Sequence, residues 1–141
     1  MSSAIEQLYH AQIVEHDRHP HHCGPLPGAT HAATLDNPLC GDVVTVHAIV
    51  DGDRIRELRF EGRGCALSRA AASMMADRVT GLPIADLPAL AAAFDQVIAV
   101  PVDDPVPEVG DLVVFKGLRG VRSRRGCATL PFRALAAALR S

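Results

Sequence analysis

Two neighbouring stretches in the first half of the chain carry the residue pattern of β-strands. VVTVHAIV (residues 43–50) is rich in β-branched residues, and RIRELRF (residues 54–60) alternates between apolar and charged positions. The DGD sequence between them is typical of a turn, so we expect an antiparallel hairpin. THAATLDN (residues 30–37) precedes them and is expected to supply a third, shorter strand.

Helical periodicity accounts for most of the remaining chain. Near the N-terminus, Ile5, Leu8, Tyr9 and Ile13 recur at the spacing of one helix face. The predicted helices are residues 4–18, 65–81, 84–99, 111–121 and 127–140. Gly81 is placed to end the second of these at its C′ position, and Pro131 is compatible with the last helix only in its first turn. A small antiparallel sheet with helices packed around it is an α+β fold, and we expect one domain over residues 1–141.

Composition indicates a core made of small side chains. Hydrophobic residues make up 48% of the 141 positions, whereas aromatic residues make up only 4%. A chain of this length buries enough surface to fold without disulfides. The sequence therefore predicts a domain that needs no disulfide bonds to fold.

Charge and hydropathy exclude several classes of function. The 14 basic and 16 acidic side chains give a net charge of −2, which argues against a nucleic acid or an anionic membrane as the main partner. No apolar run approaches the length of about 18 residues that a membrane span requires. The opening MSSAIEQLYH lacks the features of a secretion signal, so we expect a cytoplasmic protein with reduced thiols.

Three of the four cysteines occur in similar local sequences. Cys40 lies in PLCGD, Cys65 in RGCAL and Cys127 in RGCAT, each next to a glycine that permits close backbone approach. Cys65 and Cys127 also begin predicted helices, where the positive end of the helix dipole favours a thiolate. Asp42 follows Cys40 by two residues, so the two side chains share a face if the strand has already begun.

These residues can form one tetrahedral Zn²⁺ site with three sulfur ligands and one oxygen ligand. The basic sequence RSRR before Cys127 would offset part of the negative charge of such a site. The alternative is that each cysteine is an ordinary buried apolar residue. No CxxC pair is present, so the spacing differs from that of a zinc finger.

Four stretches together resemble the NifU-like, IscU-type iron–sulfur cluster assembly proteins. They are NPLCGD, FEGRGCALSRAAASMM, RGCATLPFRAL and the N-terminal LYHAQIVEHDRHPHHCG. Within this family the chain is more similar to the SufU branch. IscU proteins carry a histidine directly before the last motif cysteine, where this chain has Gly126, and the segment between Cys65 and Cys127 is longer here.

The resemblance implies a SufE/NifU-like fold and a specific chemistry. It implies zinc bound by Cys40, Asp42, Cys65 and Cys127, with Arg124 supporting the site. It also implies that Cys40 accepts persulfide sulfur from a SufS-type cysteine desulfurase, as a zinc-dependent sulfurtransferase, and that the sulfur passes to downstream cluster-assembly proteins. Two alternatives stay open: a scaffold that assembles a [2Fe–2S] cluster on the same ligands, and a structural zinc module that only activates the desulfurase.

Several conspicuous residues fall outside the family motif. Five of the seven histidines lie close together in a proline-broken region, which we predict to be a solvated loop; they are His16, His19, His21, His22 and His31. Cys23, in the same region, is predicted not to be a ligand. Met74 and Met75 are expected to fill the core.

Overall fold

The three predicted strands form one antiparallel sheet. A computed structural model describes residues 11–38, 41–99, 105–120 and 125–140. The strands are β1 (His31–Asn37), β2 (Asp42–Asp51) and β3 (Arg54–Arg63), and they lie side by side in chain order. The predicted hairpin is confirmed, because Asp51 pairs with Arg54 across a tight turn.

The sheet buries one face, as the alternating residues of β2 require. Val44, Val46 and Ala48 are buried, whereas the residues between them are partly exposed. The pairing of β2 with β3 shifts between Ile49 and Val50, which is a local irregularity of the β-bulge type. At the other end of β2, Asp42 pairs with Asn37 of β1.

Helices cover the buried face of the sheet. They are α1, described over residues 11–18, α2 (Ala66–Val79), α3 (Leu87–Ala99) and α4 (Arg125–Arg140), with 3₁₀ helices at Ile84–Asp86 and Gly110–Gly120. The segment predicted as a short helix at 111–121 is thus a 3₁₀ helix over its described part. The helix predicted at 65–81 is confirmed, and Gly81 follows its C-cap with a positive φ of 90°.

The helix predicted at 127–140 begins two residues earlier than expected, at Arg125. Pro131 therefore lies in the helix interior rather than in its first turn, which corrects the sequence prediction. A proline has no N–H to donate, so it cannot bond the carbonyl of Cys127, four residues earlier. Pro131 is buried there, between the core residues Leu130 and Phe132.

The core combines small α2 residues with a few aromatic rings. α2 is buried on almost all sides, and Met74 and Met75 lie within the core as predicted. Phe94 of α3 stacks on Phe132 of α4 at 4.8 Å between ring centroids and meets Phe115 edge-on at 5.5 Å. Among the described residues, no helix combines the length and the apolar character that crossing a bilayer would demand.

Candidate metal and sulfur site

Asp42 is the buried acidic centre of the candidate site. It is the first residue of β2 and only 2% exposed. A buried carboxylate requires hydrogen-bond donors or a cation to compensate for lost hydration. Here its Oδ1 accepts a hydrogen bond from the backbone N–H of Cys65 at 2.9 Å.

Cys65 is the N-cap of α2, and its side chain makes no capping hydrogen bond. Its Sγ instead lies 3.8 Å from Asp42 Oδ2. The carboxylate thus occupies the N-terminal end of α2, where the helix dipole favours negative charge. The start of β2 and the start of α2 are joined through this contact.

Cys127 completes the described part of the site from a third element. It is fully buried in the first turn of α4. One ligand atom each from Asp42, Cys65 and Cys127 lies within 4.8 Å of the other two. Two sulfur ligands at about 2.3 Å from a tetrahedral zinc ion are about 3.8 Å apart, so small side-chain adjustments bring the three onto one ion.

The donor set is chemically suited to zinc. Two thiolates and a carboxylate are ligands that zinc accepts in tetrahedral sites. Cys23, Cys65 and Cys127, the cysteines that the structure describes, form no disulfide. The remaining predicted ligand, Cys40, and the supporting Arg124 lie outside the described residues, so their roles stay predictions.

The glycines beside the cysteines leave room for the site. A Cβ atom on Gly64 would lie 3.1 Å from Asp42 Oδ1 and 3.0 Å from Ser68 Oγ. A Cβ atom on Gly126 would lie 2.8 Å from Asn37 Nδ2, which is closer than real Cβ contacts allow. Larger residues at either position would displace polar groups next to the ligands.

Asn37 and Ser68 are residues of the site that the sequence analysis did not single out. The Asn37 carbonyl accepts a hydrogen bond from Gly41 N–H at 2.8 Å, and its buried side chain lies against Gly126. Ser68 Oγ is buried and has no hydrogen-bond partner among the described residues. Asn37 opens NPLCGD and Ser68 lies within FEGRGCALSRAAASMM, so both motifs were usable signals, but the place of these two side chains beside Asp42 and Gly126 depends on how β1 and α2 pack.

The histidine-rich region is a solvated loop only in part: His19 and His21 are exposed in the connection between α1 and β1, as predicted, whereas His16 lies in α1 and His31 in β1. His16 Nδ1 lies 2.7 Å from Ser73 Oγ, and the side chains of His21 and His22 both contact Asp77. Ser73 and Asp77 project from one side of α2, because they are four residues apart. These polar partners hold the region against the helix, whereas Cys23 is exposed and makes an isolated bridge to Phe60.

Comparison with known proteins agrees with this architecture. The model of the NifU-like N-terminal domain family matches residues 8–128. The chain is 35% identical to an iron–sulfur cluster assembly scaffold protein IscU of Streptococcus pyogenes serotype M1, over 98% of this chain and 86% of that protein. It is 30% identical to the zinc-dependent sulfurtransferase SufU of Bacillus subtilis strain 168, over 93% and 88% of the two chains.

A solved structure shows the same fold. The crystal structure of the N-terminal part of a nitrogen-fixing NifU-like protein from Brucella abortus superposes with a TM-score of 0.84 at 28% identity. The match covers 96% of this chain and 94% of the other. The three-stranded sheet, the packed helices and the motif residues therefore have one explanation: this chain belongs to the NifU-like N-terminal domain family.

Proposed function

We propose that this protein acts in iron–sulfur cluster assembly as a zinc-bound acceptor of persulfide sulfur. The donor is a SufS-type cysteine desulfurase in the cytoplasm, and downstream cluster-assembly proteins receive the sulfur. The observation that carries the proposal is the approach of Asp42, Cys65 and Cys127 to one point from three separate elements. The relationship to a zinc-dependent sulfurtransferase over most of both chains supports it.

Zinc would be held by Cys40, Asp42, Cys65 and Cys127. When bound, it keeps the sulfur ligands deprotonated without offering redox chemistry of its own. Asp42 is already anchored by the N–H of Cys65, which fixes the position of its carboxylate before any ion arrives. Arg124, shortly before α4, would offset part of the negative charge of the ligand set.

Cys40 is the proposed acceptor because its place in the chain differs from that of the other two cysteines. Cys65 and Cys127 are part of helix starts that pack in the domain, whereas Cys40 belongs to the β1–β2 connection. That connection ends at Gly41, whose φ of 74° suits glycine. A cysteine in a connection can leave a shared site with less disturbance of the core than a cysteine in a packed helix.

The transfer is an exchange of the thiol–disulfide type. The Cys40 thiolate attacks the terminal sulfur of the persulfide on the desulfurase cysteine. A sulfur–sulfur bond to Cys40 forms, the sulfur–sulfur bond at the desulfurase breaks, and the desulfurase cysteine leaves as its thiolate. The terminal sulfur keeps its proton and no external oxidant or reductant is needed.

A second function, assembly of a [2Fe–2S] cluster on the same ligands, is supported by the relationship to an IscU scaffold protein. The residue at position 126 counts against this function. IscU proteins carry a histidine there, whereas this chain has Gly126, and the Asn37 side chain occupies the space that a larger residue would need. A third function is a structural zinc module that activates the desulfurase without carrying sulfur. Metal analysis and sulfur trapping separate the three.

The test combines both measurements on freshly purified protein. We expect about one zinc per chain and no iron, and mass spectrometry after reaction with the desulfurase and cysteine should find one added sulfur atom on Cys40. A Cys40→Ala variant should lose sulfur acceptance, while the matched Cys23→Ala variant should keep it. Iron in place of zinc would favour the scaffold, and a Cys40→Ala variant that still stimulates sulfide release would remove Cys40 from the acceptor role.

A further inference from the structure

A second group of metal-ligating side chains lies on α2, built from residues other than those of the cysteine site. One ligand atom each from His16, His21 and Asp77 lies within 4.8 Å of the other two. His21 Nδ1 is 2.6 Å from Asp77 Oδ2, and the two imidazole rings are 4.7 Å apart between centroids. Two imidazoles and one carboxylate form a common ligand set for divalent transition metals.

Ser73 positions both histidines from one turn before Asp77. Its hydroxyl contacts His16 Nδ1 at 2.7 Å and accepts a hydrogen bond from the backbone N–H of His21 at 2.8 Å. Ser73 is fully buried, so this anchor is shielded from water. The contact to Nδ1 leaves the Nε2 atom of His16 as the ring nitrogen that can bind an ion.

The backbone after His21 is held in place as well. His22 has a positive φ of 59°, which is uncommon for a residue other than glycine. Its carbonyl accepts a hydrogen bond from Phe60 N–H at 3.0 Å, and Gly24 N–H donates to the Phe60 carbonyl at 2.9 Å. The loop is therefore attached to the edge of β3 and presents His21 to α2 in a defined position.

Carboxylates supply the negative charge that favours a bound cation. Asp77 belongs to the group, and Asp111 borders the same cleft as His16 and Asp77. The second oxygen of Asp77 is 3.0 Å from His22 Nε2. A contact of this kind orients a carboxylate that binds a metal, and it leaves the other oxygen of Asp77, Oδ2, for the ion.

His16 and Asp77 face open space. They border a surface cleft of about 260 Å³, which is also lined by Arg78 and by Asp111 of the Gly110–Gly120 3₁₀ helix. Three protein ligands beside a cleft leave further coordination positions for water or a small ligand. This arrangement differs from a closed structural site.

We propose that His16, His21 and Asp77 bind a divalent first-row transition ion such as Zn²⁺, Co²⁺ or Fe²⁺ at an exchangeable site. Nitrogen and oxygen ligands about 2.0–2.1 Å from a tetrahedral ion are about 3.3 Å apart, so binding requires the His21–Asp77 pair to open slightly. The site is independent of the proposed sulfur chemistry. The alternative is that these contacts only attach the loop to α2 as exposed side-chain hydrogen bonds.

The experiment measures binding of a second metal equivalent to protein whose cysteine site is already loaded with zinc. Titration with Co²⁺ should show a second bound equivalent, with the weak visible bands of nitrogen and oxygen ligation and without thiolate charge-transfer bands. The variants His21→Ala and Asp77→Asn should each weaken this equivalent about tenfold or more. His47→Ala is the matched control. It removes a histidine whose Nε2 lies 2.8 Å from Glu61 Oε1, and among the described residues this pair belongs to no group of three metal-ligating side chains.

A measurement on unaltered protein keeps the test decisive if a variant misfolds. Paramagnetic Co²⁺ at the second equivalent should broaden the NMR signals of His16, His21 and Asp77 before those of Cys65 and Cys127. The proposal is overturned if no second equivalent binds, if both variants bind it as tightly as the wild type, or if the broadening centres on the cysteines.

Discussion

Asp42 joins two tasks in one side chain. Its carboxylate accepts the N–H of Cys65 at the start of α2, and it contributes an oxygen to the proposed ligand set. An amide in place of the carboxylate keeps an oxygen acceptor of the same size but loses the negative charge. The two tasks can therefore be separated by a single substitution.

We expect Asp42→Asn to lower zinc affinity about tenfold or more, because the site loses a charged ligand. The fold should be retained, because the amide oxygen still accepts a hydrogen bond from the Cys65 N–H. Competition with a chromophoric chelator measures the affinity, and circular dichroism reports the fold. Asp36→Asn, at an exposed position of β1, is the charge-matched control. Equal zinc affinity in the Asp42 variant and the wild type would remove Asp42 from the ligand set.

At the scale of secondary-structure elements, α4 connects the site to the sheet. It packs on β1, β2 and α2, and its first turn carries Gly126 and Cys127. The contact between Gly126 and the side chain of Asn37 fixes how closely α4 approaches the end of β1. This approach brings Cys127 to Asp42.

Gly126→Ala tests that contact. Alanine normally stabilises a helix interior by about 0.8–1.0 kcal/mol relative to glycine, but here its Cβ would lie 2.8 Å from Asn37 Nδ2. We expect the free energy of unfolding to fall in this variant, as measured by urea denaturation. In an Asn37→Gly background the same substitution should be less harmful, with a coupling energy of about 1 kcal/mol in the double-mutant cycle. Additive effects would show that the two positions do not interact.

Asp95 of α3, which lies near Arg133 of α4, makes the stability of the fold depend on pH. Partial burial raises the pKa of Asp95 above its ordinary 3.8, and Arg133 of α4 opposes this in part. Because the folded state then binds the proton more tightly than the unfolded state, the stability that Asp95 contributes is present below pH 3.8 and is lost as the pH rises through the folded pKa. Asp95→Asn removes this loss.

We therefore expect Asp95→Asn to be more stable than the wild type at pH 7, with an advantage that shrinks as the pH falls towards 3.8. Thermal melting across this range measures the difference. Asp51→Asn, at the exposed end of β2, controls for the change in net charge. An advantage that grows on acidification would contradict the assignment.

At the scale of the whole molecule, the proposed zinc site links parts of the chain that are far apart in sequence. Asp42, Cys65 and Cys127 belong to β2, α2 and α4, and these elements also share the hydrophobic core. An ion that binds only the folded arrangement stabilises the fold through its binding free energy. Loss of the ion should loosen all three elements together.

Removal of zinc by a strong chelator should lower the melting temperature by several degrees, since a ligand at 100 times its Kd adds about 2.7 kcal/mol. Differential scanning calorimetry with and without chelator measures the shift, and readdition of zinc is the control. The Asp42→Asn variant should show a smaller shift. A melting temperature unaffected by chelation would argue against a metal that bridges these elements.

Local sequence determined the elements and the chemical types of the ligands. The period-two pattern of residues 43–50 and 54–60 and the intervening turn were sufficient for the β2–β3 hairpin, because strand alternation and turn chemistry are local properties. The cysteine motifs likewise pointed to Asp42, Cys65 and Cys127, which the fold brings together, and their binding of a metal stays a prediction. Cys40 and Arg124 lie outside the described residues, so their roles stay predictions as well.

Only the tertiary structure decided which groups meet. Three features depend on packing between elements that are remote in sequence. They are the position of Pro131 inside α4, the fit of Asn37 against Gly126, and the contact of His16 and His21 with Asp77. The attachment of His16, His21 and His22 to α2 was not predicted, because their partners on α2 lie more than fifty positions further along the chain. Hydrophobic pattern and motif spacing report what each segment prefers, whereas the distance between two segments is set by how their buried faces pack together.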